Sequence, residues 1–168
     1  MLSPTLHWVT GIGSHRLALM ARPQGGEWLG EEVSALREAK VDSLVSLLEP
    51  AEVRELALND EPTLCGKYGI AYRSFPIPDR GTPLSVARFT PLLLEVHSEL
   101  LENKAVAIHC RAGIGRTGLM AGCLLHLLRV PYKDIFHLLS RSRGVAVPDT
   151  SAQVEWVEKF TRVQRQTF

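Results

Sequence analysis

The sequence is poor in every feature that would hold a chain together without an ordinary apolar core. Of its 168 residues only 3 are cysteine, an odd number with no Cys-x-x-Cys spacing. That argues against a disulfide scaffold and against a structural zinc site. Neither sign of charge dominates: 19 Lys and Arg stand against 18 Asp and Glu, a formal net charge of +1. Nothing global therefore draws the chain to nucleic acid or to an anionic membrane, and any anion recognition must be local. The most apolar stretch, residues 119–128, carries His126 and is about half the length that a membrane-spanning helix needs. Residues 1–10 contain no basic n-region followed by a long apolar h-region, so no secretory signal is read there. Repeats, low-complexity tracts and long linkers are missing too. These absences predict a soluble, cytoplasmic protein in a compartment where thiols stay reduced.

What is present reads as one globular domain spanning 1–168. Apolar residues make up 45% and charged residues 22%, enough to bury roughly two thirds of the unfolded surface at this length. Short apolar runs at 6–10, 16–20, 41–48, 70–77 and 104–109 predict strands. Helical spacing predicts helices over 27–40, 50–58, from Pro83 to about 100, 116–129, 132–142 and 151–163. In the third of these, Val86, Phe89, Leu93, Val96 and Leu100 share one face, and Pro91 falls inside the run as a site for a kink. Helices alternating with apolar strands give an α/β fold, a central, mostly parallel sheet flanked by helices. Ligands of such sheets bind beyond the carboxyl ends of the strands, which singles out the segment after the 104–109 strand.

That segment is His109-Cys110-Arg111-Ala112-Gly113-Ile114-Gly115-Arg116-Thr117-Gly118. It joins a strand to a helix, with Cys110 at its start and Arg116 at its end. Gly113 and Gly115 let the backbone curl, so that loop N–H groups and the helix N-terminus form a nest for a dianion. Arg116 can fork two donors onto the same anion. The same donors favour the thiolate of Cys110. A nucleophilic thiolate inside a phosphate-shaped cradle implies phosphoryl transfer through a phosphocysteine.

A Cys-x5-Arg loop between strand and helix resembles the signature of the cysteine-dependent protein tyrosine and dual-specificity phosphatases. The form here is close to the tyrosine-phosphatase version, with Arg111 where serine is usual. Upstream, Phe75-Pro76-Ile77-Pro78-Asp79-Arg80-Gly81-Thr82-Pro83 resembles the mobile loop that carries the general acid in that family. From about 41 to 160 the motif order most resembles the cyclin-dependent-kinase-associated branch. The resemblance implies a compact dual-specificity-like phosphatase domain, with a signature loop at 109–118 and a general-acid loop at 75–83. It implies catalytic Cys110, Arg116 and Asp79, and a phosphate-binding loop of Arg111, Ala112, Gly113, Ile114, Gly115 and Arg116. It makes His109 a residue that orients Cys110, and Thr117 one whose hydroxyl helps the sulfur leave. Arg111 is expected to be solvated at the mouth, and the Arg141-Ser142-Arg143 run to be a solvated helix end. Family members place two glutamines, four residues apart, in a late loop that positions water; here Gln153 matches the second place and Asp149 stands at the first. No cofactor and no metal are implied. The expected partner is a phosphorylated protein, phosphotyrosine ahead of phosphoserine and phosphothreonine, and the chain is expected to be a monomer.

Rival readings exist. Gly113-x-Gly115-x-x-Gly118 is a literal dinucleotide fingerprint, with Asp134 near the distance of its acidic partner. That reading leaves Cys110, Arg116 and Asp79 unexplained. A phosphate-binding module without turnover has no need of all three, and rhodanese-like sulfur transfer has no need of the Asp. Phosphoinositide or other small phosphate esters remain the alternative substrate class, although the loop lacks the extra lysines typical of lipid-directed members. Cys65 and Cys123 read as small buried hydrophobes.

Overall fold

The computed structural model describes residues 3–165. Its element order is β1 (His7–Trp8), β2 (Arg16–Met20), α1 (Leu29–Glu38), β3 (Ser43–Ser46), α2 (Pro50–Glu55), α3 (Glu61–Lys67), β4 (Ala71–Ser74), α4 (Val86–Leu101), β5 (Ala105–His109), α5 (Gly115–Leu127), α6 (Tyr132–Arg143) and α7 (Ser151–Arg165). The five strands form one sheet in the order β1-β2-β5-β3-β4, antiparallel only between β1 and β2. β5 is therefore central, and the loop that follows it opens at the middle of the sheet's carboxyl edge.

Strand alternation sorts the core into two layers. Leu17 and Leu19 of β2 join Val45, Val106 and Ile108 against helices α4 to α7. Ala18 and Met20 point the other way and pack with Leu44, Val33, Leu36, Cys65 and Ile70 under α1 and α3. β5 and the first ten residues of α5 after Gly115 are buried without interruption, as expected of elements covered on every side.

Four local differences from the sequence expectation have physical causes. α3 was not foreseen: seven residues beginning Glu-Pro have little periodicity to read, and tertiary burial of Glu61 and Cys65 holds the helix. α4 starts at Val86 rather than Pro83, because the Ser85 hydroxyl accepts from Arg88 N at 3.2 Å and caps the helix there. Val86, at the first position, is 56% exposed and off the buried face, whereas Phe89, Leu93, Val96 and Leu100 are on it. Regular pairing in β4 stops at Ser74. Two further hydrogen bonds, Phe75 N to Ser46 O (2.9 Å) and Ile77 N to Leu47 O (3.1 Å), carry the chain along the end of β3. They deliver residues 78–82 to the edge where the loop after β5 opens.

Candidate active site

The loop from Cys110 to Ile114 is held from outside by its carbonyls. Arg22 N donates to Arg111 O at 3.2 Å and Gly118 N to Ile114 O at 3.0 Å. The Arg143 guanidinium donates to Ala112 O at 3.0 Å and to Gly113 O at 3.2 Å. With four successive carbonyls engaged outward, the peptide dipoles turn their N–H ends to the inside of the loop. Gly113 makes this bend possible: its φ is +72°, and a Cβ there would lie 2.3 Å from the backbone of Met20. Arg143, expected as part of a solvated helix end, is thus a brace of the loop, and no local pattern in its own helix could have revealed that.

Cys110 is 3% exposed, and its Sγ accepts a hydrogen bond from Thr117 Oγ1 at 3.1 Å. His109 beside it is fully buried. Its Nε2 lies 2.8 Å from Glu61 Oε1, and its Nδ1 lies 3.3 Å from the Cys110 carbonyl oxygen. His109 therefore bears on the backbone of the cysteine, with Glu61 fixing the ring. Glu61 escaped the sequence reading together with the helix that carries it.

Arg116 is 2% exposed and lies flat against Glu52, donating from Nη1 to Oε2 at 2.7 Å and from Nη2 to Oε1 at 2.9 Å. Its Nη1 also reaches Ile77 O at 3.0 Å, and its Nη2 reaches Asp79 Oδ1 at 3.1 Å. This fork fixes the guanidinium plane beside the cleft. Burial pushes the Glu52 carboxyl up, but the hydrogen bonds from Arg116 and then from Glu49 N–H outweigh it and hold the group at about 2. The sequence reading gave Glu52 no role beyond its place in the helix over 50–58. Glu49 and Glu52 form a capping box at the head of α2, with Pro50 in the first turn.

Arg111 stands at the mouth as expected, its side chain 40% exposed. There it pairs with Glu55 Oε2 at 3.2 Å and Glu52 Oε1 at 3.4 Å, so its charge is partly compensated. Acidic side chains on α2 claim it before any substrate arrives.

Asp79, Arg80, Cys110, Arg111, Ala112, Ile114, Gly115, Arg116, Asp149 and Gln153 line one cleft of about 260 Å³. Every sequence-chosen site residue except the buried His109, Thr117 and Gly113 lines it. Gln153 is fully buried: its Oε1 accepts from Asp149 N and Thr150 N, both at 3.1 Å, and its Nε2 donates to Gly81 O at 3.1 Å. Asp149 Oδ2 accepts from Arg80 Nη1 at 2.8 Å. Cys65 and Cys123 lie elsewhere, fully buried. Burial, helped by Glu61, pushes the Cys65 thiol up to about 12, and burial also pushes the Cys123 thiol well up, so neither offers a thiolate at neutral pH. The dinucleotide reading fails on topology, since Asp134 sits in the first turn of α6 and not at the end of the next strand.

A cysteine at the floor of an anion-shaped loop, a clamped arginine and an overhanging aspartate are the parts of a cysteine-dependent phosphatase. The chain belongs to the family described as polymorphic toxin system, DSP-PTPase phosphatase, whose model matches residues 18–128. It is similar to cyclin-dependent kinase inhibitor 3 of Rattus norvegicus, 26% identical over 132 residues that cover 77% of this chain and 62% of the rat protein. The chain thus spans less than two thirds of that relative's length. Among solved structures it is similar to Tk-PTP in the active form, at 27% identity and a TM-score of 0.75, covering 95% of this chain and 97% of that one. Kinase associated phosphatase with serine in place of its catalytic site cysteine shares the fold at a TM-score of 0.87 and 20% identity, covering 98% of both chains. Among the described residues no helix is long and apolar enough to cross a membrane.

Proposed function

We propose that the protein hydrolyses phosphate monoesters on phosphoproteins, phosphotyrosine ahead of phosphoserine and phosphothreonine, through a phosphocysteine. One juxtaposition carries this reading: the Cys110 sulfur, the Arg116 fork and the Asp79 carboxyl meet at a single cleft. In the first step the Cys110 thiolate forms the S–P bond as the P–O bond to the leaving group breaks. Asp79 gives its proton to the departing oxygen. Arg116 and the loop N–H groups take the charge on the equatorial oxygens. The bound phosphate replaces Asp79 on Arg116 Nη2 and frees the carboxyl for the leaving oxygen. In the second step a water oxygen attacks phosphorus, Asp79 accepts a water proton, and the S–P bond breaks. The Thr117 hydroxyl donates to the sulfur as it leaves. Inorganic phosphate and the free thiolate close the cycle, with no metal or cofactor in any step.

Compensation of Arg111 by Glu55 and Glu52 leaves little spare positive charge for a second phosphate, which favours a phosphoprotein over a phosphoinositide. The relatives named cyclin-dependent kinase inhibitor 3 make phosphorylated kinase peptides a class of substrate to include. A monomer in the reducing cytoplasm suits a thiolate nucleophile. The test is kcat/KM across matched phosphotyrosine and phosphothreonine peptides and soluble phosphoinositides, with Cys110→Ser as the blank. Phosphotyrosine peptides should lead. Higher kcat/KM on phosphoinositides would move the substrate class to lipids, and turnover by Cys110→Ser near the unmutated level would end the mechanism.

A further inference from the structure

We infer that Arg80 and Asp149 are positioning residues for the general acid, an ion-pair latch that holds the Asp79 loop against the late loop; this rests on the phosphatase reading above. The loop 78–82 meets the late loop at two points. One is the Arg80 Nη1 to Asp149 Oδ2 pair at 2.8 Å, and the other is the bond from Gln153 Nε2 to Gly81 O at 3.1 Å. The two flank Asp79 on its carboxyl-terminal side, one residue apart in the chain. Arg80 itself is in the left-handed region, with φ +57°, and Gly81 N closes a turn onto Pro78 O at 2.7 Å. A left-handed non-glycine residue costs about 1–2 kcal/mol, so this turn needs outside contacts to persist. The Arg80 guanidinium supplies one from the strained residue itself.

Asp149 is tied to both loops. Its backbone N–H is taken by Gln153 Oε1 and one of its carboxylate oxygens, Oδ2, by Arg80. Both ends of the Gln153 amide are likewise engaged, across the gap between the two loops. Asp149 packs directly over the start of α5, where a Cβ on Gly115 would come 3.0 Å from Asp149 Cβ. An acid loop held to this spot keeps the Asp79 carboxyl at the cleft that Cys110 lines. A loop released from it swings the acid away while the cysteine and its cradle stay intact. The Arg80 side chain is 66% exposed and that of Asp149 41%, so the latch is a weak, salt-sensitive one. It biases the loop without locking it, as a loop that must open for product requires.

The experiment compares Arg80→Gln and Asp149→Asn on two substrates, a phosphotyrosine peptide and p-nitrophenyl phosphate. The first has a basic leaving oxygen that needs the acid; the second has a leaving group acidic enough to depart with little help. Each variant should lower kcat/KM on the peptide by about two- to fivefold, the range of an exposed ion pair, and lower it less on p-nitrophenyl phosphate; kcat/KM is the quantity compared because the hydrolysis of the phosphocysteine that follows is common to both substrates. Sodium chloride should lower the peptide rate of the unmutated chain toward that of the variants and leave the variants' own rate flat. Exchanging the charges, Arg80→Asp with Asp149→Arg, should recover the peptide rate over either single exchange; Asp tolerates the left-handed φ at residue 80. Equal losses of kcat/KM on both substrates, an unchanged peptide kcat/KM in both single variants, or an exchanged pair no better than either half would overturn the latch. Amide hydrogen exchange at Gly81 and Thr150 gives a readout that does not need turnover. It should quicken by the same factor in Asp149→Asn, and unaltered exchange would also overturn the latch. If the unmutated chain hydrolyses neither substrate, the phosphatase reading falls while the exchange measurement still decides the latch.

Discussion

Replacing Glu52 with Gln separates the charge that holds Arg116 from the shape that surrounds it. Arg116 and Glu52 are 2% and 8% exposed and share two hydrogen bonds of 2.7 and 2.9 Å. Removing one partner of a buried pair costs about 3–5 kcal/mol, because the other charge is left in a poor solvent. Here the cost should be less. Arg116 keeps Ile77 O at 3.0 Å and Asp79 Oδ1 at 3.1 Å, and the new amide oxygen can accept one bond. A loss of about 2–3 kcal/mol follows, which for a domain of this size lowers Tm by roughly 4–12 °C. The pH dependence gives a second estimate. Glu52 is held at about 2 against an ordinary 4.5, a gap worth about 3 kcal/mol at neutral pH. Because the folded value is the lower one, this stability is complete above pH 4.5 and drains away as pH falls toward 2. Urea denaturation of both proteins from pH 7 to pH 3 is the assay. The difference between them should be largest at neutral pH and shrink below 4.5. Phosphate or vanadate should also stabilise Glu52→Gln more than the unmutated protein, since an anion then supplies the missing charge to Arg116. A difference below about 0.5 kcal/mol that does not change with pH would refute the reasoning, for it would mean that water already solvates the pair.

Other outcomes follow from the same geometry. Asp79→Asn should lower kcat/KM about 10²- to 10⁴-fold on phosphotyrosine peptides, with a smaller loss on p-nitrophenyl phosphate; equal losses of kcat/KM on the two would remove Asp79 from the acid's role. Arg116→Lys keeps the charge but loses the fork, and kcat/KM should drop by more than tenfold, about 1.4 kcal/mol. Cys110→Ser should abolish turnover yet still bind vanadate, and iodoacetate should label the unmutated protein at this residue unless phosphate protects it. Gly113→Ala sets a Cβ 2.3 Å from Met20 backbone at a φ of +72°. It should therefore cost activity and fold stability together, read by circular dichroism beside the rate.

Most of the local order was legible along the chain, because it depends on neighbours within a few residues. Strand β2 and helices α5, α6 and α7 sit within three residues of where periodicity and proline placed them. The loop from Cys110 to Arg116 was readable for the same reason: nucleophile, turn glycines, arginine and helix start are adjacent, and a nest of N–H groups is a short-range object. The partners of that loop were not readable. Glu52, Glu61 and Arg143 lie 64, 48 and 30 residues from the groups they hold; Glu52 and Arg143 sit in helices whose own pattern accounts for them without any site, and Glu61 in a short helix with little pattern to read. Only the order of the sheet, with β5 between β2 and β3, brings the ends of β3 and β5 together and sets α2, Asp79 and the late loop around one sulfur. The compensation of Arg111 and the pairing of Arg80 with Asp149 belong to the same level. An ion pair is a distance, and distances between remote residues exist only once the layers have packed.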